Sequence, residues 1–377
     1  MFNRNAVIWM LLIAMSLAFA VSADAKFITM SGRSAMGYFQ SDKGGVYDTA
    51  TFRVPDVKLV TTFELPADLK ATFRMNINEG EFGSVDYAFL DVPLGFVGLA
   101  DVKARVGQFK IPLGVETFID NSIEQNLVNN SVGLFNGNDR GIMFFGKADV
   151  SDYGITYDLA FTEGSAHNSA SAVSAAAAST GDDPDVDSEK SITFRLGSKL
   201  TDALSVWGSW HNSGDLGVNG TSSAAVGGVT LTGAGKNAER ELWLLHADYK
   251  FEQGLVKGYY GEFDDDTEAA DGNKGKREGK VWMLEGRYDV TEKVYLGLQW
   301  SKIDLKGSNF LAPSGGTGGM GVNVNEMKRV EAGIAYQLGE WVTFKYAFTN
   351  NKRTFTSGSG LTDPDDDIQS LLVAVKF

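Results

Sequence analysis

Apolar and polar residues alternate with a period of two along most of the chain. The alternation is clearest at 69–77, 341–349 and 371–377. A strand that is apolar on one face and polar on the other is half-buried. About sixteen such segments follow one another, each near the ten-residue length of a strand in an outer-membrane barrel. They lie near 27–40, 51–65, 68–78, 84–92, 101–109, 139–149, 153–162, 189–199, 203–213, 239–251, 254–263, 279–290, 293–305, 326–338, 341–351 and 367–377.

The connections between these segments alternate between short and long. Several connections are only one or two residues, as at 66–67, 201–202 and 291–292, whereas 110–138 and 163–188 are long. Outer-membrane barrels have short periplasmic turns and long external loops. A soluble β-sandwich would also alternate, but it has no reason to sort its loops by length. The sequence therefore predicts an all-β fold, a transmembrane antiparallel β-barrel of about sixteen strands over 26–377.

The first residues have the pattern of a secretory signal peptide. Arg4 supplies a positive charge, 6–21 is an uncharged apolar run, and Ala23-Asp24-Ala25 is an A-x-A cleavage site. We expect a signal peptide over 1–25; cleavage after Ala23 and an uncleaved N-terminal anchor are the alternatives. No later apolar run approaches the length of a transmembrane helix, so a mature chain that spans a membrane must do so as a closed barrel.

The composition excludes several kinds of site. The chain has no cysteine, which removes disulfides, thiolate metal sites and cysteine nucleophiles. Its three histidines show no metal-ligand spacing, so neither a metal nor a cofactor is predicted. The net charge of −14 argues against a nucleic-acid partner. Ser209 and His211 share a strand face near His246, but a membrane hydrolase would need a G-x-S-x-G or a complete triad, and neither is evident. We predict no catalytic residue.

The long loops carry most of the acidic charge. Asp-x-Asp-x-Asp at 183–187 could bind Ca²⁺ or bridge to lipopolysaccharide through divalent ions, but it lacks the glycine and terminal glutamate of an EF-hand loop. A solvated acidic loop is the simpler interpretation.

The predicted inner face of the barrel is basic, in contrast to the whole chain. With the apolar face of each strand toward lipid, the inward basic residues include Lys58, Lys70, Arg74, Lys103, Arg105, Arg195, Lys199, Arg240, Lys250, Arg287, Arg329, Lys345 and Lys376. The inward acids are Asp56, Glu64, Asp158, Asp248, Glu285 and Glu331. Rings of Lys and Arg in a pore favour anions. The alternative is that charges of both signs simply hydrate the interior.

The loop at 110–138 is unusually apolar. It contains Phe118, Ile119, Ile123, Leu127, Val128, Leu134 and Phe135. We expect this third long loop to fold into the barrel and narrow it; a cap or a subunit contact outside the barrel is the alternative. Ser122 and Gln125 have the capping-box spacing of a short helix.

The residues before and after this loop resemble the phosphate-selective porin O/P family. The resemblance rests on Arg105-Val106-Gly107-Gln108-Phe109-Lys110-x-Pro112-Leu113-Gly114-x-Glu116 and on Asp139-Arg140-Gly141-Ile142. It implies a sixteen-stranded, trimeric outer-membrane porin whose third loop folds inward. Arg105, Lys110 and Arg140 lie in the matching motifs and, with Arg74 and Lys103, are the candidate residues of an anion-binding constriction. Each motif cation could instead be paired with Glu116, Asp120 or Asp139.

Together these features predict a homotrimeric porin of the cell outer membrane, in contact with its lipid and lipopolysaccharide. It would pass small hydrophilic solutes and prefer anions, phosphate or similar, through a Lys/Arg-lined constriction. The alternative is a barrel that acts as a sheath or receptor and holds a protein partner. The chain has no C-x-x-C-H, so it carries no covalent haem itself.

Overall fold

The computed structural model describes residues 27–42, 47, 49–77, 84–95, 98, 101–114, 122–132, 138–150, 153–163, 190–214, 224–226, 229–231, 237–268, 274–308, 324–355 and 365–377. The expected signal peptide and the acidic run at 183–187 lie outside these residues.

The strands account for nearly all of the described residues. They are β1 (Phe27–Ser41), β2 (Thr51–Glu64), β3 (Lys70–Asn76), β4 (Ser84–Pro93), β5 (Val102–Lys110), β6 (Asn138–Val150), β7 (Tyr153–Thr162), β8 (Ser191–Lys199), β9 (Leu204–Asn212), β10 (Ala224–Val226), β11 (Val229–Leu231), β12 (Asn237–Phe251), β13 (Gly254–Glu268), β14 (Lys274–Asp289), β15 (Val294–Ser308), β16 (Val324–Leu338), β17 (Val342–Phe355) and β18 (Asp365–Lys376). One 3-10 turn, Pro66–Asp68, joins β2 to β3. No helix among the described residues is long and apolar enough to cross a membrane.

Sixteen of these strands close into one antiparallel barrel, which confirms the predicted architecture. Neighbours in the chain are neighbours in the barrel, and β1 pairs with β18 to complete the ring. The two remaining strands, β10 and β11, form a separate hairpin between β9 and β12 that was not predicted.

The predicted strand faces are confirmed on β17. Phe344, Tyr346 and Phe348 are exposed on the outside, whereas Lys345 and Thr349 are buried on the inside. Apolar side chains exposed around the outside of the barrel match the hydrocarbon of a bilayer. The closed ring also leaves no unpaired strand edge in the lipid.

The strands on one side of the barrel are longer than predicted. Strands β13 and β14 extend well into the loop expected at 264–278 and leave only 269–273 between them. The segment begins with the acidic run 264–266, and the predicted strands end at 263 and resume at 279. It forms a hairpin because the facing strand carries the opposite charge, as in the register pair of Asp266 with Lys276.

Candidate functional site: the inner wall and the third long loop

Asp86 brings several side chains of the inner wall together near the start of β4. Its Oδ2 accepts a 2.9 Å hydrogen bond from Lys58 Nζ and is ion-paired with Arg74. Its Oδ1 accepts from Asn138 Nδ2 at 2.5 Å, and Lys110 is close enough to act on the carboxylate electrostatically. Two predicted site residues, Arg74 and Lys110, therefore meet at a carboxylate that was not predicted.

A β-bulge explains why Asp86 escaped the alternation rule. Strand β4 pairs Tyr87 with Arg74 and Val85 with Met75, so Asp86 is the extra residue between two register pairs. A bulge changes the direction of one side chain without changing the rest of the strand. No period-two reading of the sequence locates such an insertion.

Arg105 is held in a fixed direction on the inner wall. Its Nε and Nη2 donate to the two carboxylate oxygens of Asp91, at 2.7 and 2.9 Å. The guanidinium carbon lies 3.7 Å from the ring centroid of Phe89 and 5.1 Å from that of Phe145. A bidentate pair combined with cation–π contacts is a strong arrangement for arginine. The ion-pair partner is thus Asp91 rather than the acids considered from the sequence.

Lys103 and Arg140 lie apart from the Asp86 group. Lys103 is exposed near the turn that follows β4, at the periplasmic end of β5. Arg140 shares a face of β6 with Ile142 and Phe144, whose side chains are exposed on the outside. Its Nε lies 2.8 Å from Glu163 Oε2.

The opposite inner wall, formed by β12 to β16, is apolar toward the long-loop end. Ile111, Leu113 and Val132 of the third loop are buried against it. The wall residues in this cluster are Leu242, Leu244, Phe263, Val281, Ile303, Leu305 and Met327. For the described residues of the loop, 110–114 and 122–132, the expected inward fold is confirmed, and the alternative of a cap or subunit contact outside the barrel is wrong; Phe118, Ile119, Leu134 and Phe135 lie outside the described residues. These strands are apolar on both faces because the inner face receives the loop.

Two buried charged residues fix the loop to β16 and β17. Glu331 Oε1 accepts the backbone N–H groups of Val128 and Asn129, at 2.8 and 3.2 Å. Lys345 Nζ donates to the loop carbonyl oxygens of Ser122, Gln125 and Leu127. A charged donor and a charged acceptor thus satisfy loop backbone groups that have no strand partner.

The capping-box interpretation of Ser122 and Gln125 is wrong. Residues 122–132 form turns and bends rather than a helix. Ser122 Oγ instead donates to Asp56 Oδ2 at 3.1 Å, which joins the loop to the charged wall.

The serine and histidines considered for catalysis have separate partners. Ser209 Oγ accepts the backbone N–H of Gly114 at 3.0 Å. His211 Nδ1 is hydrogen-bonded to Thr193 Oγ1, and His246 Nε2 to Asp248 Oδ1. These contacts fix the loop and the wall and do not form a nucleophile–base pair. Among the described residues, no group of three or more His, Asp and Glu side chains is placed to hold a metal ion.

Comparison with known proteins shows likeness in structure only. The chain matches no protein-family model and none of the curated protein sequences. It is similar to the trimer form of OmpT, an outer-membrane protein of Vibrio cholerae, at 10% identity and a TM-score of 0.60, with 94% of this chain and 100% of that chain covered. It is similar to an anion-selective porin from Comamonas acidovorans at 13% identity and a TM-score of 0.59, with 93% and 99% covered. It is similar to Salmonella typhi OmpF at 11% identity and a TM-score of 0.51, with 93% and 97% covered. At such identities the likeness establishes the fold, which is the barrel fold of outer-membrane porins.

Proposed function

We propose that the chain is an outer-membrane porin, a water-filled pore for small hydrophilic solutes, exported with residues 1–25 removed. The observation that carries the proposal is the accessibility of charged side chains inside the ring. The side chains of Lys58 and Arg105 are 18% and 20% exposed on the inner wall. Partly exposed charges inside a barrel that is apolar outside require water in its interior.

The inner wall of β1 to β6 supports a preference for anions. Its described cations include Arg33, Lys58, Lys70, Arg74, Lys103, Arg105 and Lys110, and its described carboxylates include Asp56, Glu64, Asp86, Asp91 and Asp139. Most of these cations lie beside a carboxylate, so the local field depends on the small excess of positive charge. The Comamonas acidovorans protein of similar fold is anion-selective. Phosphate as the preferred anion rests on the family resemblance of the motifs around Arg105 and Arg140.

Single-channel recording of the refolded chain 26–377 across a KCl gradient tests the proposal. We expect stepwise conductance, a reversal potential of the anion-selective sign, and block by added phosphate. Conductance without anion preference would leave a general porin. A folded, heat-modifiable barrel without conductance would contradict the pore and favour a barrel that holds a protein partner.

Two matched variants test the basic wall. Arg105→Gln/Lys110→Gln removes two cations and leaves Asp91 and Asp86 less compensated, so the reversal potential should shift toward the cation-selective sign. Arg105→Gln/Asp91→Asn removes one charge of each sign and should shift it much less. Equal selectivity in the first variant and the wild type would show that Arg105 and Lys110 do not belong to the constriction.

The proposed assembly is a homotrimer in contact with outer-membrane lipid and lipopolysaccharide. The support is the fold shared with the trimer form of Vibrio cholerae OmpT. Chemical cross-linking of the unheated protein in detergent should give a band of three chains, and a band of one chain alone would contradict the trimer.

A further inference from the structure

Three lysines lie side by side on the outer face of the barrel, across β15, β16 and β17. The register places Lys302 directly beside Lys328, and Lys328 directly beside Lys352. Their outward direction follows from Ile303 and Met327, the next residues along two of the strands, which are buried inside. Like charges directly opposite in a ladder destabilise a sheet. This lysine row is therefore compatible with the sheet only where negatively charged groups lie beside it.

The lysine row stands at the end of the apolar outer surface. On β15, exposed Leu298 and Trp300 come immediately before Lys302 on the same face. On the outer faces of β16 and β17, the exposed apolar residues Val330 and Phe348 lie near Lys328 and Lys352. Long loops follow β15 and β17 at this end of the barrel. In an outer-membrane barrel that end faces the exterior, which places the row at the headgroups of the outer leaflet.

Two carboxylates accompany the row. Glu326 accepts from Lys302 at 2.8 Å and from Lys328 at 2.5 Å, and Asp304 lies 2.7 Å from Lys302. Lys302 Nζ also lies 5.4 Å from the ring centroid of Trp282. The long lysine stem therefore runs along the aromatic surface while the charge stays at the polar boundary. A ligand with stronger negative charge could displace Glu326 from these lysines.

We propose that the lysine row binds the phosphorylated headgroup of an anionic glycolipid in the outer leaflet. The inference rests on the proposed function, since it requires the barrel to lie in an outer membrane. Clusters of basic residues at a membrane surface attract anionic headgroups, and lysine binds phosphate as a compact point charge. Adjacent lysines on neighbouring strands present their charges to one headgroup rather than to separate ions.

The test is titration of the detergent-purified chain 26–377 with diphosphorylated lipid A, followed by native mass spectrometry. The variant Lys302→Gln/Lys328→Gln/Lys352→Gln should bind lipid A about tenfold more weakly or worse. The matched control Lys199→Gln/Lys250→Gln/Lys293→Gln removes the same charge at the periplasmic end and should bind like the wild type. Inorganic phosphate at equal concentration should not compete; effective competition would overturn a lipid headgroup as the ligand.

Glu326→Gln tests the same site in the opposite direction. It frees Lys302 and Lys328 from their shared carboxylate, so lipid A should bind several-fold more tightly. Equal affinity in the wild type, the row variant and Glu326→Gln would overturn the proposal. Conductance measured on the same preparations separates the two conclusions, because the row lies outside the pore. A wild-type barrel that binds lipid A but does not conduct would contradict the pore alone.

Discussion

At the scale of single residues, two glycines shape the inner wall where the third loop rests. Gly297 of β15 and Gly333 of β16 are register partners. A Cβ atom at Gly297 would lie 2.8 Å from Leu127 Cδ2, and one at Gly333 would lie 3.0 Å from the same atom. Leu127 is only 3% exposed. The missing side chains leave a gap in the wall that the leucine fills, so these glycines serve packing rather than a turn.

Gly297→Val should displace Leu127 and lower the stability of the folded barrel by about 1–3 kcal/mol, as for other overpacked interiors. The measurement is the temperature of heat modification: samples are heated to successive temperatures and run on a gel that separates the folded form from the unfolded form. In the Leu127→Ala background the same substitution should cost much less, because the clashing side chain is gone. Gly286→Ala is the control, since nothing lies within 4 Å of a Cβ there. Equal losses in both backgrounds would show that the two residues are not coupled.

At the scale of elements, the third loop shows what the sequence could and could not predict. Its apolar content predicted burial, and its place in the order of connections predicted that it enters the barrel. Its docking surface was not predictable, because Ile111 belongs to the same buried cluster as wall residues as distant in sequence as Leu305. The fold was predictable because strand alternation and turn length are local signals. The position of Asp86 on the inner wall was not predictable, because the bulge that places it there leaves no signal in the alternation.

Lys345→Met should loosen the loop, because it removes the donor to three backbone carbonyls and leaves them buried without it. The expected results are greater open-channel current noise and a stability loss of about 1–3 kcal/mol. Lys293→Met is the matched control, since Lys293 is exposed in the turn between β14 and β15. If the noise of Lys345→Met equals that of the control, this lysine does not hold the loop in place.

At the scale of the whole molecule, the barrel closes where β1 pairs with β18, and the contact of Gly32 with Phe377 lies at one end of that ladder. Gly32 and Phe377 exchange backbone hydrogen bonds, with N···O distances of 2.7 and 2.9 Å. The Phe377 ring covers Gly32 so closely that a Cβ there would lie 2.3 Å from Cζ of the ring. Closure removes the last pair of sheet edges, and this contact extends the ladder that closes the ring to its last residue pair.

Gly32→Val should therefore weaken the whole barrel rather than one strand. The added side chain meets both the Phe377 ring and the carbonyl oxygen of Lys58, the latter at 3.1 Å from the Cβ position. The refolded fraction and the temperature of heat modification should both fall, by an amount equivalent to about 1–3 kcal/mol. Phe377→Ala in the same chain should recover only part of the loss, because the clash with the Lys58 carbonyl remains. Refolding and heat modification at wild-type levels in Gly32→Val would mean that the β1–β18 pair tolerates displacement of its terminal ring, and that closure is secured by the remaining register pairs from Arg33 to Ser41.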